Sequence, residues 1–254
     1  MAAAASRWAA RRGSTTSTPR AGSTVTRTRR ARCERRTLYS ISMAPDRVRC
    51  TPDMPSLPLL EDPIADWGVA LRDAAERDIP EILIAHQDDP QLYVRLGLDR
   101  PPSGAELGRQ MEEAASERRS GVRARLTILE HSSDEFRGGI VVHNIDWENA
   151  RAELSVWVIP QERGKGLARA ALRLAAGWLF ERCRLARLEL LAEPDNEPLL
   201  RAAATAGFVR EGVLRHHARR GKGRQDMVIL SLLASDLGAP PPDVALRSVT
   251  PPRD

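Results

Sequence analysis

The segment Gln161-Glu-Arg-Gly-Lys-Gly166 packs two glycines, two cations and a carboxamide into six positions, directly ahead of a helical pattern. The order around it is strand (152–159), turn (161–166), amphipathic helix (167–181) and strand (187–192), a βαβ-like unit. The first backbone amides of such a helix have no partner within it and point out of the turn. The helix dipole adds partial positive charge at the same end, so the turn suits a phosphate or pyrophosphate. Gly164 and Gly166 let the backbone approach a ligand with no β-carbon in the way, Arg163 and Lys165 bring cations to the spot, and Arg169 lies one turn deeper. Taken alone, a GxG before a helix reads more simply as a plain turn. It is not a kinase or dehydrogenase motif either: no GK[ST] follows, and Arg169 stands where the third glycine of GxGxxG would be.

Other reactive residue types read as structural. Cys183 ends the amphipathic helix with no histidine near it in sequence, which makes it a core or boundary residue rather than a nucleophile. His216 and His217 form a pair without a third ligand at metal spacing, so no metal is expected. Trp157 and Trp178 read as core.

The elements that must position the turn follow from periodicity. Val69–Leu71 is a short strand candidate, and Asp78-Ile-Pro80 opens a helix carrying Ile82, Leu83 and His86. A second helix, 103–119, has Ser103 as N-cap and Glu106 at the capping-box spacing. Strands are expected over 125–130, 140–145 and 152–159, with Gly138-Gly139 as a turn. In 167–181, Leu167, Ala170, Ala171, Leu174, Ala175, Trp178 and Leu179 form one apolar helical face. Residues 188–192 form another strand. Asn196 caps a helix over 197–206, which Gly207 stops. Residues 213–217 and 227–233 pair through a Gly221-Lys-Gly223 turn.

Together these motifs resemble the GNAT superfamily of N-acetyltransferases. Gln161-x-x-Gly164-x-Gly166 is similar to its Q/R-x-x-G-x-G/A turn. Leu188 to Asn196 followed by Gly207-Phe208 looks like its strand, asparagine and "GF" sequence, and the stretches Glu211–Arg215 and Arg224 to Leu233 resemble the ending of the ribosomal-protein N-terminal acetyltransferase (RimJ/RimL-type) group. The resemblance covers about residues 66–238. It implies an α+β fold: a twisted, mostly antiparallel sheet of about seven strands with a central splay, flanked by about four helices. It implies acetyl-CoA as acyl-donor co-substrate, its pantetheine arm paired with the strand of Val156, Trp157 and Val158. The backbone of Arg163, Gly164, Lys165, Gly166, Leu167 and Ala168 would hold the pyrophosphate beside Gln161, and Asn196 would sit by the pantetheine or the thioester.

The implied reaction is acetyl transfer to an amine, a protein N-terminus or a small molecule, by direct attack in a ternary complex. An alkylammonium is almost fully charged at pH 7, so a base or water chain helps. Glu153, Glu189 and Glu193 could point into the splay. Glu189, flanked by Leu188 and Leu190, is a candidate base if that apolar setting raises its pKa, with solvent on the sheet's outer side as the competing environment; Glu153 is the second candidate. A backbone amide of 156–158 would polarise the carbonyl. Members of the ribosomal-protein group often carry a proton-donating serine three residues after the asparagine; here that position is Leu199. A catalytically silent acyl-CoA-binding module is therefore the alternative reading. Trp147 is a candidate for the mouth of the acceptor site, as are His216 and His217. Asp226 either anchors the last strand pair or meets the acceptor amine.

Composition sets the remaining bounds. The chain has 254 residues and a net charge of +5, but residues 1–42 hold ten arginines and one acid, Glu34, leaving the other 212 residues at −4. The basic excess belongs to the N-terminal segment, so nucleic-acid binding by the domain is not argued from charge. Residues 1–42 read as a disordered extension: a segment upstream of a true start at Met43 or Met54, a transit peptide, or a basic arm for RNA or an acidic partner. Residues 43–63 are a proline-rich linker, 64–238 the domain, and 239–254 a loose proline-rich tail. No stretch approaches the roughly 18 apolar residues of a membrane span. Three scattered cysteines, Cys33, Cys50 and Cys183, fit a reducing, cytoplasmic compartment. The resemblance leaves a homodimer open.

Overall fold

The computed structural model describes residues 56–238 apart from Trp67 and Lys222. The arginine-rich extension 1–42, most of the linker 43–63 and the tail 239–254 lie outside the described residues.

Among the described residues eight strands form one sheet: β1 (Ile64–Asp66), β2 (Val69–Asp73), β3 (Ala124–Glu130), β4 (Phe136–Asp146), β5 (Arg151–Val158), β6 (Arg187–Ala192), β7 (Val209–Arg220) and β8 (Gly223–Leu233). The order across the sheet is β1-β2-β3-β4-β5-β6-β8-β7. The single parallel pair is β5/β6, bridged by the crossover helix α4 below, and every other pair is antiparallel. The helices are α1 (Ile79–Asp88), α2 (Leu92–Arg95), α3 (Gly104–Arg119), α4 (Leu167–Glu181) and α5 (Glu197–Ala206). The α+β, mostly antiparallel architecture is the one expected, with one strand more than the seven. The addition is β1, three residues that follow a proline-rich stretch and exist as a strand through pairing with β2.

The alternation along β5 divides the molecule into two faces. Ala152, Leu154, Val156 and Val158 point to the face where α4 lays its apolar stripe, with Ala171, Leu172, Ala175 and Leu179 fully buried. Glu153, Ser155 and Trp157 point to the opposite face. Cross-strand partners share a face, so Gly139 sits beside Trp157, Val141 beside Ser155 and His143 beside Glu153. Thr127 and Arg125 of β3 extend those rows.

Gly138 and Gly139 were expected to turn the chain, and instead lie inside β4. The reason is their neighbour on β5. A β-carbon at Gly138 would come within 2.1 Å of the Trp157 carbonyl, and one at Gly139 within 2.9 Å of the indole nitrogen. The glycines make room for a tryptophan rather than for a bend. Elsewhere local signals act as read. Ser103 accepts from the Glu106 amide while Glu106 accepts from the Ser103 amide, closing the capping box. Gly207 ends α5 at φ +108.

β5 and β6 pair only at Arg151↔Arg187, Ala152↔Leu188 and Glu153↔Glu189. Beyond residue 153 of β5 and 189 of β6 the two strands part, and a central splay opens.

Candidate active site

The splay leads into a cleft of about 540 Å³ whose walls come from β5, the N-terminus of α4 and the start of α5. Val156, Trp157 and Val158 form one side, backbone and side chains of a strand that lost its partner at residue 154. Arg163, Gly164, Gly166, Leu167 and Ala168 form the end wall. Gly166 is the N-cap of α4 in left-handed geometry, φ +83, with no side chain capping the helix. The first bond of the helix ladder runs from the Ala170 amide to the Gly166 carbonyl, so the amides before it face the cleft without a helical acceptor. α4 carries no acid in its first turn. Uncapped amides, a dipole end and no competing carboxylate on the helix itself are what an anionic group would need here.

Two of the expected cofactor residues, Gln161 and Lys165, do not line this cleft. The Gln161 amide donates to Asp88 at 2.6 Å, and Lys165 meets Glu162 at 2.9 Å. Arg163 reaches the wall yet spends its guanidinium on the Val158 carbonyl (3.1 Å) and Asp89 (2.6 Å). Burial would raise the Asp89 carboxyl, but the Arg163 and Gln91 hydrogen bonds together with the charges of Arg163 and Arg95 outweigh it and hold Asp89 below the ordinary carboxylate value. The turn is thereby latched to the C-terminal end of α1. Deeper cations in the cleft are Arg95 and Arg169, the latter donating to the Thr205 carbonyl at 3.1 Å.

Asn196 closes the cleft from the α5 side. It is 7% exposed, accepts from the Leu199 amide at 3.4 Å as the α5 N-cap, and accepts from Arg95 at 3.4 Å. Leu199 also lines the cleft, an apolar contact at the place of the group's serine.

A second cavity of about 370 Å³ lies on the opposite face. Its floor is β3, β4 and β5, through Arg125, Thr127, Gly139, Val141, His143 and Ser155; its roof is α1, the segment after α2, and α3. Trp157 and Leu96 line both cavities, so the two spaces meet at that pair.

The candidate carboxylates divide between different partners. Glu153 and Glu189 stand side by side at the closed end of the splay. The apolar setting expected for Glu189 is absent because Leu188 and Leu190 point to the other face; its own face brings Arg187 (2.8 Å) and Arg151 (3.5 Å). Arg187 in turn holds Glu211 at 2.6 Å. Glu193 is bound by Arg220 at 2.9 Å. Glu153 accepts from Asn144 at 2.9 Å and lies 3.9 Å from the Nε2 of His143.

His143 is the residue that sequence reading passed over. Its Nε2 is 2.8 Å from the Ser155 hydroxyl, both on the floor of the second cavity. Burial lowers the imidazole pKa and Arg123 lowers it further; Glu153 opposes them, and the net value stays below the ordinary histidine one. The ring is neutral at pH 7 and able to take a proton. Alternation along each strand could place His143 and Ser155 on strand faces, but not their register.

The remaining candidates lie apart from both cavities. Asp226 accepts from the His216 amide at 2.7 Å and so anchors the β7–β8 hairpin. The Trp147 indole donates to the Gly121 carbonyl at 2.8 Å. Cys183 is buried and free, its thiol pushed up to about 11 by burial, which removes it as a nucleophile.

Comparison with known proteins places this geometry. The family described as the acetyltransferase (GNAT) domain matches residues 69–209. Over 160 residues, 62% of this chain and 89% of the relative, the sequence is 28% identical to the uncharacterized N-acetyltransferase p20 of Bacillus licheniformis. Among solved structures, RimJ of Mycobacterium smegmatis, in complex with CoA-disulfide, superposes with a TM-score of 0.61 at 23% identity over 68% of this chain and 85% of its own. Spermidine N-acetyltransferase of Vibrio cholerae, in complex with CoA and spermine, gives 0.58 at 20% identity over 67% and 98%.

Proposed function

The chain belongs to the GNAT acetyltransferase family and is an N-acetyltransferase, and on that premise we propose that it joins acetyl-CoA in the splay cleft to an amine in the second cavity. The observation that carries this reading is the meeting of the two cavities at Trp157 and Leu96. The uncapped amides at the start of α4 fit a pyrophosphate. The edge of β5 beyond residue 153, free of β6, offers backbone groups to an extended pantetheine arm. Val156 and Val158 give that arm an apolar wall, and the buried Asn196 gives it a polar one.

Attack by the amine on the thioester carbonyl forms a C–N bond and breaks the C–S bond. A backbone amide of 156–158 donates to the carbonyl oxygen as charge gathers there. The proton of the ammonium passes to His143 by way of Ser155, and Glu153 stabilises the imidazolium that results. Glu189 is held by Arg187 and Arg151 and lines neither cavity, so it is not placed to meet the amine. The thiolate takes its proton from water, since Leu199 has none to give. We further propose that the enzyme works in a reducing, cytoplasmic compartment; no helix among the described residues is long and apolar enough to cross a membrane.

Calorimetric titration of the full chain with acetyl-CoA tests the donor site, beside Gly164→Glu. A β-carbon at Gly164 meets nothing within 4 Å, but at φ +79 a side chain strains the turn, so circular dichroism must show the variant folded before lost binding is ascribed to its negative charge. Saturable binding is expected for the parent and none for the variant. An unmodified chain that does not bind acetyl-CoA overturns the reading.

A further inference from the structure

We infer that the acceptor of this enzyme is an amine carrying a carboxylate at its far end, of about dipeptide length, and that Arg125 and Arg123 are the residues that select it. The inference rests on the assignment of the second cavity to the acceptor amine.

The cavity has an electrostatic sign that its apolar walls conceal. Among the described residues, none of its lining side chains is an aspartate or glutamate. Two are arginines that face the cavity, Arg125 on β3 and Arg123 in the residue before that strand begins. Both end on one carboxylate, Glu117 of α3: Arg123 at 2.8 Å, and Arg125 in a short contact through its own Nη1. Two guanidiniums share one carboxylate, and each keeps further N–H donors. Arg125 is 13% exposed, so its charge is only weakly screened by solvent. The histidines add no positive charge at pH 7, because burial holds both His86 and His143 below the ordinary imidazole value. The cavity is therefore a half-buried cationic site with an unfilled share of charge-assisted hydrogen bonds.

A polyamine does not suit it. After one nitrogen is deprotonated for attack, its remaining ammonium groups would enter a space lined by two guanidiniums and no carboxylate, Glu117 being already shared between the two arginines and Glu153 lying beside His143 outside the lining. An anion is the complement, and a guanidinium pairs a carboxylate in two-point geometry. The sheet fixes the length of the ligand. Val141 pairs with both Ser155 and Arg125, so these stand two strands apart, about 10 Å between their Cα atoms. With the amine at Ser155 and the arginine leaning inward, the amine and carboxylate are separated by about 6–10 Å. An α-amino acid is too short. A dipeptide fits, and so does an N-terminal residue followed by an acidic side chain. Between the two ends the cavity offers Val141, Met111 and Leu107, which suit an apolar body.

The test compares four acceptors on the full chain at saturating acetyl-CoA: Ala-Leu as the free acid, Ala-Leu amide, Ala-Glu amide and spermidine. Thiol release gives kcat/KM, and calorimetry gives acceptor binding without acetyl-CoA. The free acid should exceed its amide by on the order of tenfold to a hundredfold, the range of one charge-assisted bond. Arg125→Gln should erase that ratio, Arg123→Gln should reduce it, and Glu117→Gln should raise it by freeing both guanidiniums. Circular dichroism checks that each variant folds, and the more exposed Arg123 guards against an unfolded Arg125 variant. Preference for Ala-Glu amide over Ala-Leu amide would assign the carboxylate to a side chain, and preference confined to Ala-Leu acid to a chain terminus. Equal rates for Ala-Leu acid, Ala-Leu amide and Ala-Glu amide, or faster turnover of spermidine, would overturn the inference while leaving the acetyltransferase reading intact. Absent acetyl-CoA binding would strike that reading instead, and the calorimetric titrations would still judge the cavity.

Discussion

Replacing Asp78 by asparagine should destabilise the enzyme strongly. Asp78 is 3% exposed at the start of α1 and accepts four hydrogen bonds: two from Arg72 (2.9 and 2.6 Å), one from the Thr127 hydroxyl (2.7 Å) and one from the Ala75 amide (2.9 Å). It ties the cavity roof to β2 and to β3 of the floor. Asparagine keeps one oxygen but turns an NH2 toward the guanidinium, leaving Arg72, itself 13% exposed, as a buried cation without its counter-ion. Breaking such a pair from one side costs about 3–5 kcal/mol, a large part of the roughly 5–15 kcal/mol that stabilises a domain. At about 2–4 °C per kcal/mol, the melting point should fall by roughly 6–20 °C. Urea denaturation at pH 7 measures the change, and the double variant Asp78→Asn/Arg72→Gln should recover about 1 kcal/mol or more by removing the stranded charge. The pH profile carries an independent check. Burial would raise the Asp78 carboxyl, but the Arg72, Thr127 and Ala75 bonds outweigh it and hold the folded value below the ordinary 3.8. Its stabilisation is then complete above that ordinary value and lost as pH falls through the lower folded one, and Asp78→Asn should flatten this acid limb. A loss under 1 kcal/mol, or a double variant as unstable as the sum of the singles, would refute the account.

Two further outcomes follow from single residues. Gly177 lies inside α4 with nothing within 4 Å of a built β-carbon, so Gly177→Ala should stabilise by about 0.5–1 kcal/mol; a lower melting point would show an unrecognised contact there. His143→Gln can keep a hydrogen bond to Ser155 but cannot take the proton, so turnover should fall by about 10²–10⁴ while acetyl-CoA affinity holds. The parent rate should decline on the acid side with a midpoint below the ordinary histidine value of 6.5, in line with the lowered His143 pKa. If the variant retains that limb at an undiminished rate, the proton goes elsewhere, and Glu153→Gln becomes the comparison.

What the sequence made readable is the proposed donor half of the site, and the reason is topological. Strand, turn, helix and strand run without interruption from residue 151 to 192, so spacing alone places Gly164, Gly166 and the α4 amides against β5. The apolar repeat of 167–181 and the Ser103–Glu106 box are equally local, and both appear in the fold at their expected residues. Misreadings fall where a residue's environment comes from a distant strand. Gly138-Gly139 has the composition of a turn, and only the register of β4 against β5 shows that it accommodates Trp157. Glu189 has leucines on both sides in sequence and arginines on both sides in space, because alternation sends its neighbours to the other face. The side chains that charge were invoked for are also spoken for: Arg163 and Lys165 are paired with Asp89 and Glu162, which leaves the backbone of the turn to meet an anion. The proposed acceptor half lies wholly in this illegible class. Its floor takes one side chain at a time from β3, β4 and β5, and its roof comes from residues 82–111, so Arg125, Val141 and Ser155 become neighbours only when two registers are fixed. An enzyme built this way declares its donor in one contiguous motif, while its acceptor is set by strand registers that local spacing does not encode.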